Sequence, residues 1–402
     1  MIVLNVKIDN LYMFKDFEVN FTFPRKVSNS ILKDETLKYA PKIRYKKVNI
    51  IMGANASGKT TFGKLLCNFE NFLCGGNGNK LINRFYSDKK SNFEIIFTVE
   101  DRLFEFILST EPKNAKNYLI SEKIRFIKLN SSFNYRENIN LLNSKNFLEK
   151  ERILNLDTKE VFVSGVINEE FEPNYNTEED YSKFIYTLKN YFWDNASFYY
   201  SFDKDLEEKE KVRNILDVDS IKTVEKYLKV IDDSIVEIRN AKSTGIDNTD
   251  EEVEEGFYIK FKNGEKILIN KNTSKSVRER LSRGTVEAIY LANFISKIEN
   301  YKGVIYLDEQ MAYMHTKLSN SLILQIIYNL EENSQLFITT HNENSLDLNI
   351  PNHSYTFLAR NNEGVFVVNP EKYIIKNDRK LKNYVQNDYF DIYPNLDGIW
   401  ED

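Results

Sequence analysis

The sequence predicts an α/β fold with a mixed central sheet, an antiparallel β subdomain and an inserted helical lobe, and three observations carry that prediction. First, VNIIMGANASGKTTFGKLLCNF (48–69) passes from a short apolar strand through a glycine-bearing loop into a helix. Second, two short apolar runs, GVIYL (303–307) and LFITT (336–340), are separated by one helix-length segment, the spacing of parallel strands in a βαβ unit. Third, NFEIIFTVE, RLFEFILST and KIRFIKLN follow one another between residues 92 and 130 with turn residues between them, which reads as an antiparallel sheet. A hydrophobic content of 42%, with 13% aromatic residues, is ample for a core and excludes a disordered chain.

Each element follows from its local pattern. MIVLNVKIDNLYMFKDFEVNF (1–21) alternates apolar and polar residues either side of a turn around Met13 to Asp16, so it reads as a β-hairpin. From about Asn146 to Ile238 the reading is mostly helical, and SIKTVEKYLKVIDDSI (220–235) places Ile221, Val224, Tyr227, Leu228 and Ile231 on one helix face. GFYIKFKNGEKILIN (256–270) predicts a hairpin turning at Asn263-Gly264. LSRGTVEAIYLANFI (281–295) predicts an amphipathic helix with Gly284 directly before it. The expected division is an N-terminal lobe (1–145), a helical lobe with its hairpin (146–284) and a C-terminal core (285–402). The sequence holds no internal repeat, low-complexity linker or long heptad run.

Composition narrows the partners. A net charge of −5 argues against coating nucleic acid in bulk. The densest basic run, PKIRYKK (41–47), and the densest acidic run, DNTDEEVEEG (247–256), both read as solvated loops or turn edges. No stretch of 18 apolar residues occurs, and the opening residues lack the layout of a signal peptide. The expectation is a cytoplasmic protein with no membrane partner. Cys67 and Cys74, without further cysteines or neighbouring histidines, read as plain thiols.

The chemistry concentrates in three places. Gly53 to Thr60 fits G-x-x-x-x-G-K-[ST], the phosphate-binding loop, in which glycines let backbone N–H groups close around phosphate oxygens. The predicted nucleotide contacts are Gly53, Asn55, Ala56, Ser57, Gly58, Lys59, Thr60 and Thr61, with Lys59 on the β/γ phosphates and Thr60 on Mg²⁺. VIYLDEQ delivers Asp308 and Glu309 at the end of an apolar strand: Asp308 to hold the metal or its water, Glu309 to act as general base toward an attacking water. FITTHNEN places His341 at the end of the next strand, where it can sense a γ-phosphate. His315 and His353 read as structural, although His315 lies close to the acidic pair.

Leu281-Ser282-Arg283-Gly284-Thr285 resembles the signature loop of the ATP-binding-cassette superfamily in its LSxGT form. With NLYMFKDFEVNF, LKVIDDSIVEIRN, YLDEQMAYMHTKLS, FITTHN and the tail NYVQNDYFDIYPNLD, nearly the whole chain resembles the ABC-type ATPases of the RecF/SMC/OLD-like group. Within that group it resembles the AAA-15/AAA-21-type bacterial ATPases of phage-defence systems, such as the ATPase subunit of PARIS-type systems. The resemblance implies a P-loop NTPase with an ABC-type head, ATP and Mg²⁺ as cofactors, and a head-to-head dimer or larger assembly. It also implies that Ser282, Arg283 and Gly284 complete the nucleotide site of a partner head in trans. Two features depart from the pattern. No glutamine precedes Gln310, so the usual Q-loop glutamine is missing, and only about 60 residues follow His341, too few for the Toprim nuclease domain of OLD-type enzymes.

Three functions compete on this basis. The favoured one is a defence ATPase that senses a phage-derived trigger and controls a separately encoded toxic effector. The second is a RecF-like repair or recombination ATPase that clamps DNA, for which the acidic total and absent coiled-coil arms are unfavourable. The third is a nucleotide-gated scaffold with little hydrolysis; a scaffold needs no general base, yet Glu309 is present. A transporter ATPase fits least.

Overall fold

The computed structural model describes residues 1–27, 30–73, 88–114, 117–155, 161–162, 198–202, 221–240, 256–270, 281, 285, 291, 295, 301–311, 314–361, 364–374 and 380–393. The chain divides into two compact units, one formed by Met1–Tyr200, Lys302–Asp308 and Glu332–Asp402, the other by Ser201–Tyr301 and Glu309–Glu331.

The first unit opens with β1 (Ile2–Asp9) and β2 (Phe17–Asn20), the predicted hairpin, paired antiparallel from Asn5↔Asn20 to Ile8↔Phe17. A small ribbon of β3 (Thr36–Leu37) and β4 (Ala40–Arg44) precedes β5 (Val48–Met52), the phosphate-binding loop and α1 (Lys59–Leu73). The three predicted antiparallel strands follow as β6 (Ser91–Val99), β7 (Arg102–Pro112) and β8 (Asn117–Lys128). After α2 (Tyr135–Asn143) the chain returns as β9 (Leu148–Asn155) and β10 (Val161–Phe162). The resulting antiparallel sheet has the order β10-β9-β8-β7-β6-β1-β2.

The strand β9 departs from the helical reading of 146–238. Its residues, LEKERILN, are good helix formers, but they pair with β8 from Asn117↔Asn155 to Ile124↔Leu148. Lys123 and Glu149 face each other across that pairing and join at 2.7 Å. Cross-strand partners and an open sheet edge outweigh a propensity difference of a few tenths of a kcal/mol per residue. Of the rest of that segment, β11 (Phe198–Phe202) and β12 (Ile235–Asn240) are also strands, and Ile221–Ile231 is the predicted helix.

The second sheet is mixed. β15 (Val304–Asp308), β16 (Gln335–Thr340), β5 and β17 (Tyr355–Asn361) run parallel, and β18 (Gly364–Val368) closes antiparallel on β17; β11 forms the other edge. β5 and β15 are buried at every position and β16 at all but its last, because both faces are covered. α1 lies against both sheets. Phe69 packs on Phe93, Phe97 and Phe106 of the antiparallel sheet, and Phe62 meets Phe17 and Phe21. On the side facing β15, a Cβ on Gly63 would stand 2.3 Å from the Tyr306 ring, so only glycine allows this approach.

Two polar features tie the unit together. Gln335 accepts from the backbone N–H of Val3 at 2.9 Å and donates to the carbonyls of Val3 and Lys46 at 3.0 and 3.1 Å, stitching β1 to the mixed sheet. Lys46, fully buried, pairs with Glu371 at 2.8 Å and donates to Asn369 Oδ1 at 3.0 Å. This corrects the solvated reading of PKIRYKK: Ile43, Tyr45, Lys46 and Lys47 are all buried, and Lys42 is its exposed basic residue. A charge run says nothing of which side chains the strand turns inward. Of the acidic run, residues 247–255 lie outside the described residues. His353 is buried, stacked on Phe23 and 2.7 Å from Glu35, in keeping with its structural reading.

In the second unit, the helix Ile221–Ile231 buries Val224 and Leu228 as its spacing predicts. Next to it stands a three-stranded sheet of β12, β13 (Gly256–Phe261) and β14 (Lys266–Asn270). The β13–β14 hairpin turns at Gly264, whose φ of +85° suits glycine. The helix Thr316–Tyr328 is capped by His315, whose Nδ1 accepts from the Lys317 N–H at 3.4 Å. Among the described residues no helix is long and apolar enough to cross a membrane.

Candidate functional site

Parallel strands deliver their chemistry at one edge, because all their carboxyl ends point the same way. Here the register aligns them closely. Met52 pairs with Thr340 and Asp308 with Thr339, so the phosphate-binding loop, the acidic strand end and His341 leave the sheet at neighbouring positions.

The loop turns back on itself, with the Ser57 N–H donating to the Ala54 carbonyl at 3.2 Å. Ala56 and Gly58 have φ of +62° and +97°, and a Cβ on Gly53 would stand 2.2 Å from the Leu358 carbonyl oxygen. Asn55 and Ala56 are exposed at the tip, while Ser57, Gly58 and Lys59 are buried. Lys59 Nζ donates to the loop carbonyls of Gly53 and Ala54 at 2.9 and 3.1 Å, lying across its own loop. Ser57 Oγ is buried with no hydrogen-bond partner among the described residues. A buried orphan hydroxyl costs free energy, and phosphate oxygens in the loop would satisfy it. Thr60 and Thr61, half-buried, begin α1, whose N-terminal turn adds a positive field.

Thr60 and Asp308 meet directly. Thr60 Oγ1 donates to Asp308 Oδ2 at 2.7 Å, although 248 residues separate them in the chain. The pair offers hard oxygen donors beside a phosphate loop, which fits Mg²⁺ completed by water and phosphate oxygens. The other carboxylate oxygen, Asp308 Oδ1, accepts from the buried Thr339 Oγ1 at 2.5 Å. Behind this group, Tyr306 donates from its hydroxyl to the Lys59 carbonyl at 2.8 Å, joining the acidic strand to the first turn of α1. Burial, with the nearby Asp308 carboxylate, holds the Tyr306 phenol protonated far above its ordinary range, so it acts as a donor.

The remaining predicted residues sit as follows. Glu309 follows Asp308 with a left-handed φ of +51°, unusual for a non-glycine residue, and belongs to the second unit. His341 is exposed at the end of β16, and the loop behind it is held by Lys382, which donates to Asn344 Oδ1 at 3.1 Å and pairs with Asp347 at 2.6 Å. Ser282, Arg283 and Gly284 lie outside the described residues; Leu281 and Thr285 beside them are buried. Thr339 and Tyr306 are the residues that sequence reading missed. Threonine at a strand end and tyrosine inside an apolar run carry no signal until the register places them against Asp308 and Lys59.

A family model covers most of the chain. The model of the AAA_21 family, described as "AAA domain, putative AbiEii toxin, Type IV TA system", matches residues 48–347. The chain belongs to that family. No curated protein matches the sequence. Among solved structures, an Smc head bound to the C-winged helix domain of ScpA is 12% identical, with 94% of this chain and 100% of that chain covered and a TM-score of 0.45. The SMC head domain from Thermotoga maritima is 9% identical over 92% of this chain and 99% of that one, with a TM-score of 0.43.

Proposed function

Starting from that family membership, we propose that the chain is an ATP-hydrolysing switch whose heads dimerise around ATP, sense phage infection and control a separately encoded toxic effector. The observation that carries the catalytic part is the meeting of Thr60 and Asp308 at the mouth of a phosphate-binding loop. Lys59, released from the carbonyls of Gly53 and Ala54, takes β/γ-phosphate oxygens, and Ser57 donates its orphan hydroxyl to the same group. Thr60 and Asp308 hold Mg²⁺, which when bound neutralises charge on the phosphates. Glu309 accepts the proton of the attacking water, and His341 donates to the γ-phosphate. Ser282, Arg283 and Gly284 of one head close over the nucleotide of the other. With no glutamine before Gln310 to order the water, turnover is slow. The family's description names a putative toxin and a Type IV TA system, a setting in which a protein partner fits better than DNA.

One experiment separates the readings. Tagged Glu309→Gln protein, which keeps ATP but does not turn it over, is purified with ATP from cells expressing its genomic neighbours. A stoichiometric protein partner supports the effector reading, whereas recovery of DNA without protein favours a repair clamp. Lys59→Ala, run in parallel, abolishes ATP binding in a calorimetric titration; unchanged affinity refutes the role of the loop.

A further inference from the structure

We propose that Thr339 is a positioning residue for the metal: by binding one oxygen of Asp308 it aims the other at Thr60. The inference rests on the nucleotide-and-Mg²⁺ reading of this site. A carboxylate at a strand end can rotate about its last bond, and either oxygen can serve a cation. Here the two oxygens are already assigned. Oδ1 accepts from Thr339 Oγ1 at 2.5 Å and Oδ2 from Thr60 Oγ1 at 2.7 Å. The two contacts differ in kind. Thr60 is half-buried at the start of α1, and its hydroxyl is the predicted metal ligand, so that bond is exchanged for the metal on loading. Thr339 is 1% exposed on β16 and paired in register with Asp308. Its bond persists in both states.

The threonine is suited to this in three ways. Its Cβ branch restricts the side-chain rotamer within a strand, so the hydroxyl is fixed by the backbone. The parallel pairing of β15 and β16 sets the distance between the two side chains. Its hydroxyl also offers Oδ1 a hydrogen bond in place of the water that burial removes, while Oδ2 faces Thr60. Partners that orient a ligand in this way typically contribute 10–100-fold to metal affinity.

The test compares wild type, Thr339→Val and Thr339→Ser by calorimetric titration of ATP, first in EDTA and then across a series of Mg²⁺ concentrations. Valine keeps the shape and removes the donor; serine restores the donor. The expected result is that Thr339→Val binds ATP in EDTA as wild type does, needs about 10–100-fold more Mg²⁺ for the metal-dependent gain, and is rescued by Thr339→Ser. A thermal unfolding curve confirms that each variant is folded; should valine unfold the chain, serine against alanine gives the same comparison. An unchanged Mg²⁺ requirement in the folded valine variant overturns the role of Thr339 while leaving the site intact. Wild type that binds no ATP under any condition overturns the site reading itself, and this inference with it.

Discussion

The two sheets of the first unit solve the placing of polar groups in opposite ways. In the antiparallel sheet, charges sit on a strand face and meet across strands, Lys7 with Glu94 at 2.6 Å and Lys123 with Glu149 at 2.7 Å. In the mixed sheet, β5 and β15 are buried at every position, and polar chemistry is pushed to the strand ends. Lys46, beside it, is wholly enclosed. The lesson is one of exposure. A sheet with a wet face spreads its charges where each contributes little, and a sheet covered on both faces gathers its few at points where each contributes a great deal.

The comparison breaks most sharply at the buried pair. Glu371→Ala leaves the Lys46 ammonium enclosed without its carboxylate, and a loss of about 3–5 kcal/mol is expected in denaturant unfolding. A loss below about 1 kcal/mol would place that pair with the surface ones. Next, Gly63→Ala forces a methyl into the Tyr306 ring and is expected to cost about 1–3 kcal/mol, with part recovered in a Gly63→Ala, Tyr306→Leu double variant. Smallest, Lys7→Ala on the wet face should cost less than about 1 kcal/mol.

High pH sharpens the contrast by sign. Burial lowers the Lys46 pKa below its usual 10.5, against the pull of Glu371. Between its folded value and 10.5 the unfolded chain therefore binds more protons, and the contribution of Lys46 rises with pH across that window. For Lys7, burial also pulls downward, but the Glu94 hydrogen bond and the charges of Glu94, Glu18 and Glu105 outweigh it, and the net shift is upward. Its contribution is full below 10.5 and is lost as pH climbs through the folded value. Unfolding curves of Lys46→Gln and Lys7→Gln against wild type, taken from neutral pH to above 10.5, should diverge in opposite directions. Parallel trends would refute the assignment.

How much of this could be read beforehand depends on how local the determinant is. The loop from Gly53 to Thr60 is eight consecutive residues and its motif is read from them alone, although the close approach that requires Gly53 is made by the distant Leu358. Asp308 was legible because an apolar run delivers it. Thr339 was not, since its role exists only in register with a residue 31 positions away. Nor was β9, because LEKERILN favours a helix and only β8 makes it a strand. Burial of Lys46 depends on Glu371, more than 300 residues further on, and a local charge count contains no trace of it. The signature residues 282–284 fall outside the described residues, so their part in the site rests on sequence alone.

The order in which the chain is made bears on when this site can exist. β5, the strand that carries the phosphate-binding loop, has β16 and β17 as its two sheet neighbours. Val3 of the first strand is held by Gln335. A nascent chain that has emitted the loop must therefore synthesise nearly 300 further residues before that strand gains its first neighbour. At about 5–20 residues per second this is a delay on the order of tens of seconds. During that time the loop has no sheet to stand on, and Asp308 and Thr339 have not been made. A growing chain thus has no working site before Thr339 has been added, and a fragment released before then carries the signature of a nucleotide loop without the means to use it.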